Sequence, residues 1–197
     1  MATNKPASTL YTETSWLTGQ FLIAMPSMPD PRFARSVIYM CSHGPNGAMG
    51  LMVNRLYGEV NFRALLQQLN LKAAGDTPDL TVHYGGPVES GRGFVLHSTD
   101  YLRDGAMRID DTIALSATVE ILQALADGTG PERALMALGY TGWGAGQLDA
   151  EMTANGWLTA PASDDILFDS DIETKWERAL GKIGISAPML SAEAGHA

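Results

Sequence analysis

The chain carries one cysteine, Cys41, among its 197 residues. A single thiol closes no internal disulfide, and with only four scattered histidines it builds no Cys/His zinc pattern. No apolar run approaches the ~18 residues of a membrane span. The opening residues, MATNKPASTLYTETS, lack the apolar stretch of a secretory signal. These absences lead us to expect a cytoplasmic protein with no metal and no membrane partner. Positive charge is also scarce. The net charge is −9, and the residues after Arg108 carry −10 of it against +1 before. Phosphate neutralisation supplies most nonspecific nucleic-acid affinity, so this balance argues against direct DNA binding. Nor is there a helix-turn-helix with a basic recognition helix.

What is present suffices for one core. At 45% apolar, the chain is expected to form a single domain over residues 14–186. A polar lead-in (1–13) and a tail (187–197) flank it.

The most unusual stretch is 139–158, GYTGWGAGQLDAEMTANGWL, with five glycines and two tryptophans. The preceding run, 134–140, reads as a buried strand, and 147–153 reads as a helix stopped by Asn155-Gly156. Strand, glycine loop and helix would aim free N–H groups at the loop, where an anion can sit. Gly142, Gly144 and Gly146 are the candidate backbone site. Their spacing matches neither G-x-G-x-x-G nor a P-loop. The competing reading is a packing corner, with glycine where Trp143 and Trp157 leave no room for a Cβ.

The rest of the chain reads as alternating strands and helices. Strands are expected at 19–25, 36–42 and 48–53, the last two joined by Asn46-Gly47 as an antiparallel hairpin with Arg35 and Asn54 at one end. Asp30-Pro31 marks one helical turn. Asn61 caps a helix through 69. Strands at 80–84 and 92–98 are expected to pair as a hairpin around GGPVESG. One or two short strands fall in 106–115, and Ser116 is expected to cap a helix through Ala126. The acidic run 161–171 does not match a calcium loop, and Asp171 is expected to cap a last helix to 181.

Several blocks together resemble the bacterial YqgE/AlgH family: MPSMPDPRFARSVIYMCSH, GAMGLMVN, GGPVESGRGFVLH, ALGYTGWGAGQLDAEM, NGWL and KWERALGKIGI, in that family's order and spacing. The resemblance spans about 17–185. It implies an α+β fold with a twisted, largely antiparallel or mixed sheet and flanking helices. It also implies a transcriptional regulator, the role given to a branch linked to exopolysaccharide synthesis. It carries over no catalytic set and no cofactor.

Three functional readings follow from the residues. In the first, Ser36, Cys41 or Ser98 is a nucleophile and His43, His83 or His97 its base, with His83 and His97 neighbours on paired strands; no G-x-S-x-G elbow supports it. In the second, Arg35, Ser36, Asn54, Arg92, His97, Trp143 and Gln147 converge on a cleft, with Trp143 as its wall and Arg92 contacting a small anionic ligand. In the third, apolar residues around Met25, Met28 and Met49 meet a protein partner. The expectation is a non-enzymatic regulator acting through ligand or protein binding. The alternative is an enzyme or sensor for a phosphate- or carboxylate-bearing metabolite near the loop 142–147.

Overall fold

The computed structural model describes residues 16–73 and 77–190. The lead-in 1–13 and residues 191–197 of the tail lie outside them. The strands are β1 (Gln20–Ala24), β2 (Val37–Gly44), β3 (Gly47–Met52), β4 (Leu56–Asn61), β5 (Thr81–Tyr84), β6 (Val88–Ser98), β7 (Met107–Arg108), β8 (Ile113–Ser116), β9 (Ala134–Trp143) and β10 (Trp157–Pro161). The helices are α1 (Phe62–Gln68), α2 (Val119–Ala126), α3 (Gln147–Thr153), α4 (Asp164–Leu167) and α5 (Lys175–Gly181). One curled sheet runs β10-β1-β2-β3-β9-β6-β8-β7, with β5 joining both β4 and β9. All pairs are antiparallel except β5–β9. The α+β architecture with a largely antiparallel, mixed sheet is as expected. Among the described residues no helix is long and apolar enough to cross a membrane.

The apolar runs look continuous in sequence because both sheet faces are covered. Side chains alternate across a strand, and here each set finds a core. Phe21, Ile23, Val37, Tyr39, Leu51, Phe94, Leu96 and Leu135 point inside the curl, where Trp176 and Leu180 of α5 join them. Leu22, Ile38, Met40 and Met52 point out beneath Leu148 of α3. Val82, Val95, Met136 and Leu138 point out beneath Phe62 and Leu66 of α1 and Leu122 and Leu125 of α2. Each large aliphatic or aromatic side chain buried this way stabilises by about 1.5–3 kcal/mol. Two polar contacts fasten the curl. Tyr39 Oη donates to Asp110 Oδ2 at 3.1 Å, and Trp176 Nε1 donates to Ala24 O at 2.9 Å.

The β2–β3 hairpin forms as expected, and Asn54 ties its base: Oδ1 accepts from Val37 N at 2.8 Å and Nδ2 donates to Arg35 O at 2.9 Å. Asp30 and Asn61 cap their turns with side-chain oxygens.

Four expectations are corrected. First, β5 and β6 are not a hairpin, because β9 lies between them, parallel to β5 (His83 opposite Ala137) and antiparallel to β6 (Phe94 opposite Ala137). The link Gly85-Gly86-Pro87 crosses directly over β9. A Cβ on Gly86, at φ 152°, would stand 2.2 Å from the Tyr140 carbonyl carbon. The glycines serve this close crossing and not a hairpin turn. Second, His83 and His97 are consequently separated by a strand. Third, Ser116 ends β8 and bonds His97, while Thr118 stands at the start of α2 without a side-chain cap bond. Fourth, α5 starts at Lys175, and Asp171 accepts the Thr174 hydroxyl at 2.6 Å instead of capping the helix itself. The exposed strand β4 carried no alternating signal and was not expected.

Candidate functional site

The glycine loop is shorter than its sequence suggests. β9 runs through Trp143, so Gly142 is a strand residue opposite Met49. Only 144–146 turn the chain, with Gly146 at φ 70° before α3. Asn155, at φ 56°, and Gly156 then return it into β10. This strand–helix–strand path sets the indoles of Trp143 and Trp157 together, with centroids 6.0 Å apart and planes at 79°.

Between them stands Glu151. Its Oε2 accepts from Trp143 Nε1 at 2.9 Å and from Trp157 Nε1 at 2.8 Å. Its Oε1 accepts from Gln147 Nε2 at 3.0 Å, one helical turn earlier. Gln147 Oε1 in turn accepts from Gly144 N at 3.0 Å, which closes the loop. Both tryptophans are buried, as a satisfied indole N–H allows.

This group forms one side of a pocket of about 400 Å³. The other side is the segment after β1, including Met28, Pro29 and Phe33. Phe33 meets Trp157 edge-on, with centroids 5.9 Å apart. Asp30 and Arg32 stand at this wall. Arg32 donates from Nε and Nη2 to Asp30 Oδ2, at 3.1 and 2.7 Å, and its guanidinium lies 5.7 Å from the Phe33 centroid. Arg32 holds the Asp30 carboxyl below its ordinary range by these hydrogen bonds.

The seven candidate side chains do not gather in one cleft. Trp143 and Gln147 line this pocket, as does the backbone of Gly142. Arg92 lines a neighbouring, more open groove of about 670 Å³, to which Trp143 also belongs. There Arg92 pairs with Glu89 at 3.2 Å and lies 5.2 Å from the Phe94 centroid. Arg35, Ser36 and Asn54 sit at the hairpin base. Arg35 bonds Glu177 at 3.0 Å with its guanidinium 4.5 Å from the Trp176 centroid, and the buried Ser36 hydroxyl has no partner. His97 is fully buried: Nδ1 faces the Ser98 carbonyl and Nε2 the Ser116 hydroxyl, both at 2.9 Å. The carbonyl assigns the ring proton to Nδ1. Burial pushes the His97 pKa down.

At the candidate backbone site the Gly144 amide donates to Gln147 Oε1, and Asp149 and Glu151 follow in α3. Among the nucleophile candidates, Cys41 is 2% exposed and burial pushes its thiol up to about 12, which suppresses the reactive thiolate. Ser98 Oγ donates to Asp100 and meets no histidine. His83 donates from Nδ1 to Met136 O at 3.2 Å, and its Nε2 is unpartnered.

Glu151, Asp30, Arg32, Phe33 and Trp157 also line the pocket without a sequence pattern that marks them as a site. The four-residue spacing of Gln147 and Glu151 was the one local signal. What joins Phe33 to Trp157 is tertiary.

Similarity to known proteins extends over most of the chain. The AlgH-like family, DUF179, matches residues 21–188. A UPF0301 protein of Afipia carboxidovorans is 54% identical over 192 residues, covering 93% of this chain and 91% of its own. A UPF0301 protein of Rhodospirillum rubrum is 49% identical over 182 residues, covering 92% and 95%. The solution structure of the AlgH protein from Pseudomonas aeruginosa superposes with a TM-score of 0.77 at 42% identity, over 98% of this chain and 100% of that one. A Corynebacterium diphtheriae protein shares the fold, with a TM-score of 0.70 at 19% identity. The chain belongs to the AlgH-like, UPF0301 family.

Proposed function

We propose that this protein is a non-enzymatic, cytoplasmic regulator that acts by holding a ligand in the pocket between Trp143, Trp157 and Phe33. The observation that carries this reading is the Trp143–Glu151–Trp157 clamp. Two buried indoles and a glutamine fix one carboxylate at the wall of a concave, mostly apolar pocket. Few fixed polar groups in an apolar cleft are what small-molecule sites are made of. Nucleophilic chemistry is not supported, since the serine, cysteine and histidine candidates are buried or engaged in separate places.

The phosphate or carboxylate metabolite reading has less behind it. An anion at the glycine loop meets the Glu151 and Asp149 charges and an amide already bonded to Gln147. A protein partner is the second reading. Its support is the open groove, where Met49 and the exposed Met107 offer adaptable apolar contacts.

A thermal-shift screen of the full chain against nucleotides, sugar phosphates, carboxylates and amines tests the reading. Phe33→Ala is run alongside as a wall variant on a half-buried turn. A ligand at a hundred times its Kd adds about 2.7 kcal/mol of stability. The expected result is a ligand whose shift is lost in Phe33→Ala. Shifts that persist in the variant, or none at all, overturn the pocket reading and favour the groove.

A further inference from the structure

The charge arrangement in the pocket selects a class of ligand. Three charged side chains line it: Asp30, Arg32 and Glu151. Asp30 and Arg32 neutralise each other through a two-point contact. Glu151 is different. Its three donors, two indole N–H groups and an amide, are all neutral, and among the described residues no Lys or Arg forms an ion pair with it. The clamp holds the carboxylate in place without cancelling its charge, so the pocket keeps a formal charge of −1.

The remaining walls suit the same sign. Trp143, Trp157 and Phe33 form a chain of edge-to-face rings, with neighbouring centroids 5.9 and 6.0 Å apart. Aromatic faces carry a negative quadrupole and attract cations, tryptophan most of all. The Arg32 guanidinium, paired with Asp30, lies 5.7 Å from the Phe33 centroid at the mouth. Among the described residues no side-chain cation lies over Trp143 or Trp157. An aromatic enclosure with one fixed, uncancelled carboxylate is the arrangement that recognises ammonium groups.

We propose that the pocket binds a small organic cation, an alkylammonium whose charged head faces Glu151 and whose carbon substituents contact the indoles and Phe33. This inference rests on the pocket reading above and adds the sign and chemistry of the ligand.

The test compares choline with 3,3-dimethylbutan-1-ol, its neutral isostere, by titrating the full chain and following the indole N–H signals of Trp143 and Trp157 by NMR. Choline is expected to move both signals saturably and to bind at least about tenfold tighter than the isostere, with the preference shrinking as salt is raised. Glu151→Gln, whose amide oxygen still accepts from the indoles, is expected to remove the preference while the melting curve stays cooperative. Equal binding of the two compounds overturns the cation assignment and leaves the pocket reading standing. No response to either, with an anionic or uncharged ligand found in the screen and lost in Phe33→Ala, overturns it in the same way. Silence in both experiments overturns both readings.

Discussion

Trp143 and Trp157 donate their indole hydrogens to the same oxygen of Glu151, at 2.9 and 2.8 Å, although they lie at the end of one strand and the start of another. That shared acceptor is the joint between β9 and β10. Removing it leaves two buried donors unsatisfied, each at about 1–3 kcal/mol. Glu151→Ala is therefore expected to lower unfolding stability by about 2–5 kcal/mol in urea denaturation. Glu151→Gln should recover most of the loss. An alanine variant within about 0.5 kcal/mol of the parent would show that the clamp is not holding the joint.

His83 gives a pH dependence with a definite sign. Burial, with help from the Lys175 charge, pushes its pKa from 6.5 to about 4 in the folded protein. The unfolded chain therefore takes up a proton that the folded one refuses. This contribution is constant above about pH 6.5 and is lost as pH falls toward about 4, by about 3 kcal/mol in all. His83→Phe removes it, so the stability difference between variant and parent should change over that window. Parallel pH–stability curves for the two proteins would refute the assignment.

Lys175 supplies a check on the cause. It is fully buried, its pKa is pushed down to about 8 by burial, and its ammonium donates to Leu167 O at 2.9 Å. Lys175→Met removes a positive charge near His83. The His83 pKa is expected to rise, read from its ring signals in an NMR titration. Stability should stay close to the parent or improve, because a buried charge costs desolvation that an apolar side chain of similar volume avoids. An unmoved His83 pKa would mean that the lysine charge does not reach the ring.

Gly86 is expected to tolerate no side chain. Its φ of 152° and the crossing over Tyr140 both exclude a Cβ. Gly86→Ala should cost more than about 2 kcal/mol or abolish soluble expression, since the obstacle is rigid backbone in the middle of the sheet. Gly91→Ala, four residues after Pro87 with open space around it, is the matched control and should express normally.

Cys41 should be silent to a thiol reagent such as 5,5′-dithiobis(2-nitrobenzoate) until the protein unfolds. It is buried in β2 with a thiol pushed up to about 12. Its labelling rate is expected to follow the unfolding equilibrium across a urea series. Prompt labelling in native buffer would contradict the packing of the curl.

Local signals made much of the secondary structure legible, although the Ser116 and Asp171 caps did not form. Asp30 and Asn61 announced their caps, and Asn46-Gly47 its hairpin. The pairing of β5 and β6 was not legible, because nothing in GGPVESG distinguishes a loop that turns from one that crosses a strand some fifty residues later in the chain. The pocket was legible by halves. Trp143 and Gln147 stood out in the glycine-rich stretch. Asp30, Arg32 and Phe33 read as one capped helical turn, and only the fold brings that turn to Trp157. Arg92, His97 and Arg35 looked alike as polar residues at strand ends, yet each is used locally by a different neighbour.

β9 serves as seam for three earlier strands: β6 along one edge, and β5 and then β3 end to end along the other. On the ribosome those three strands are made well before residue 134, so their edges wait without the strand that joins them. Their contacts are long-range, which places folding on the slow, millisecond-to-second side of the scale. Through that interval the nascent chain presents open apolar strands, the form most prone to misassociation. A chain truncated before Ala134 should therefore behave as a chaperone client and not as a smaller folded domain.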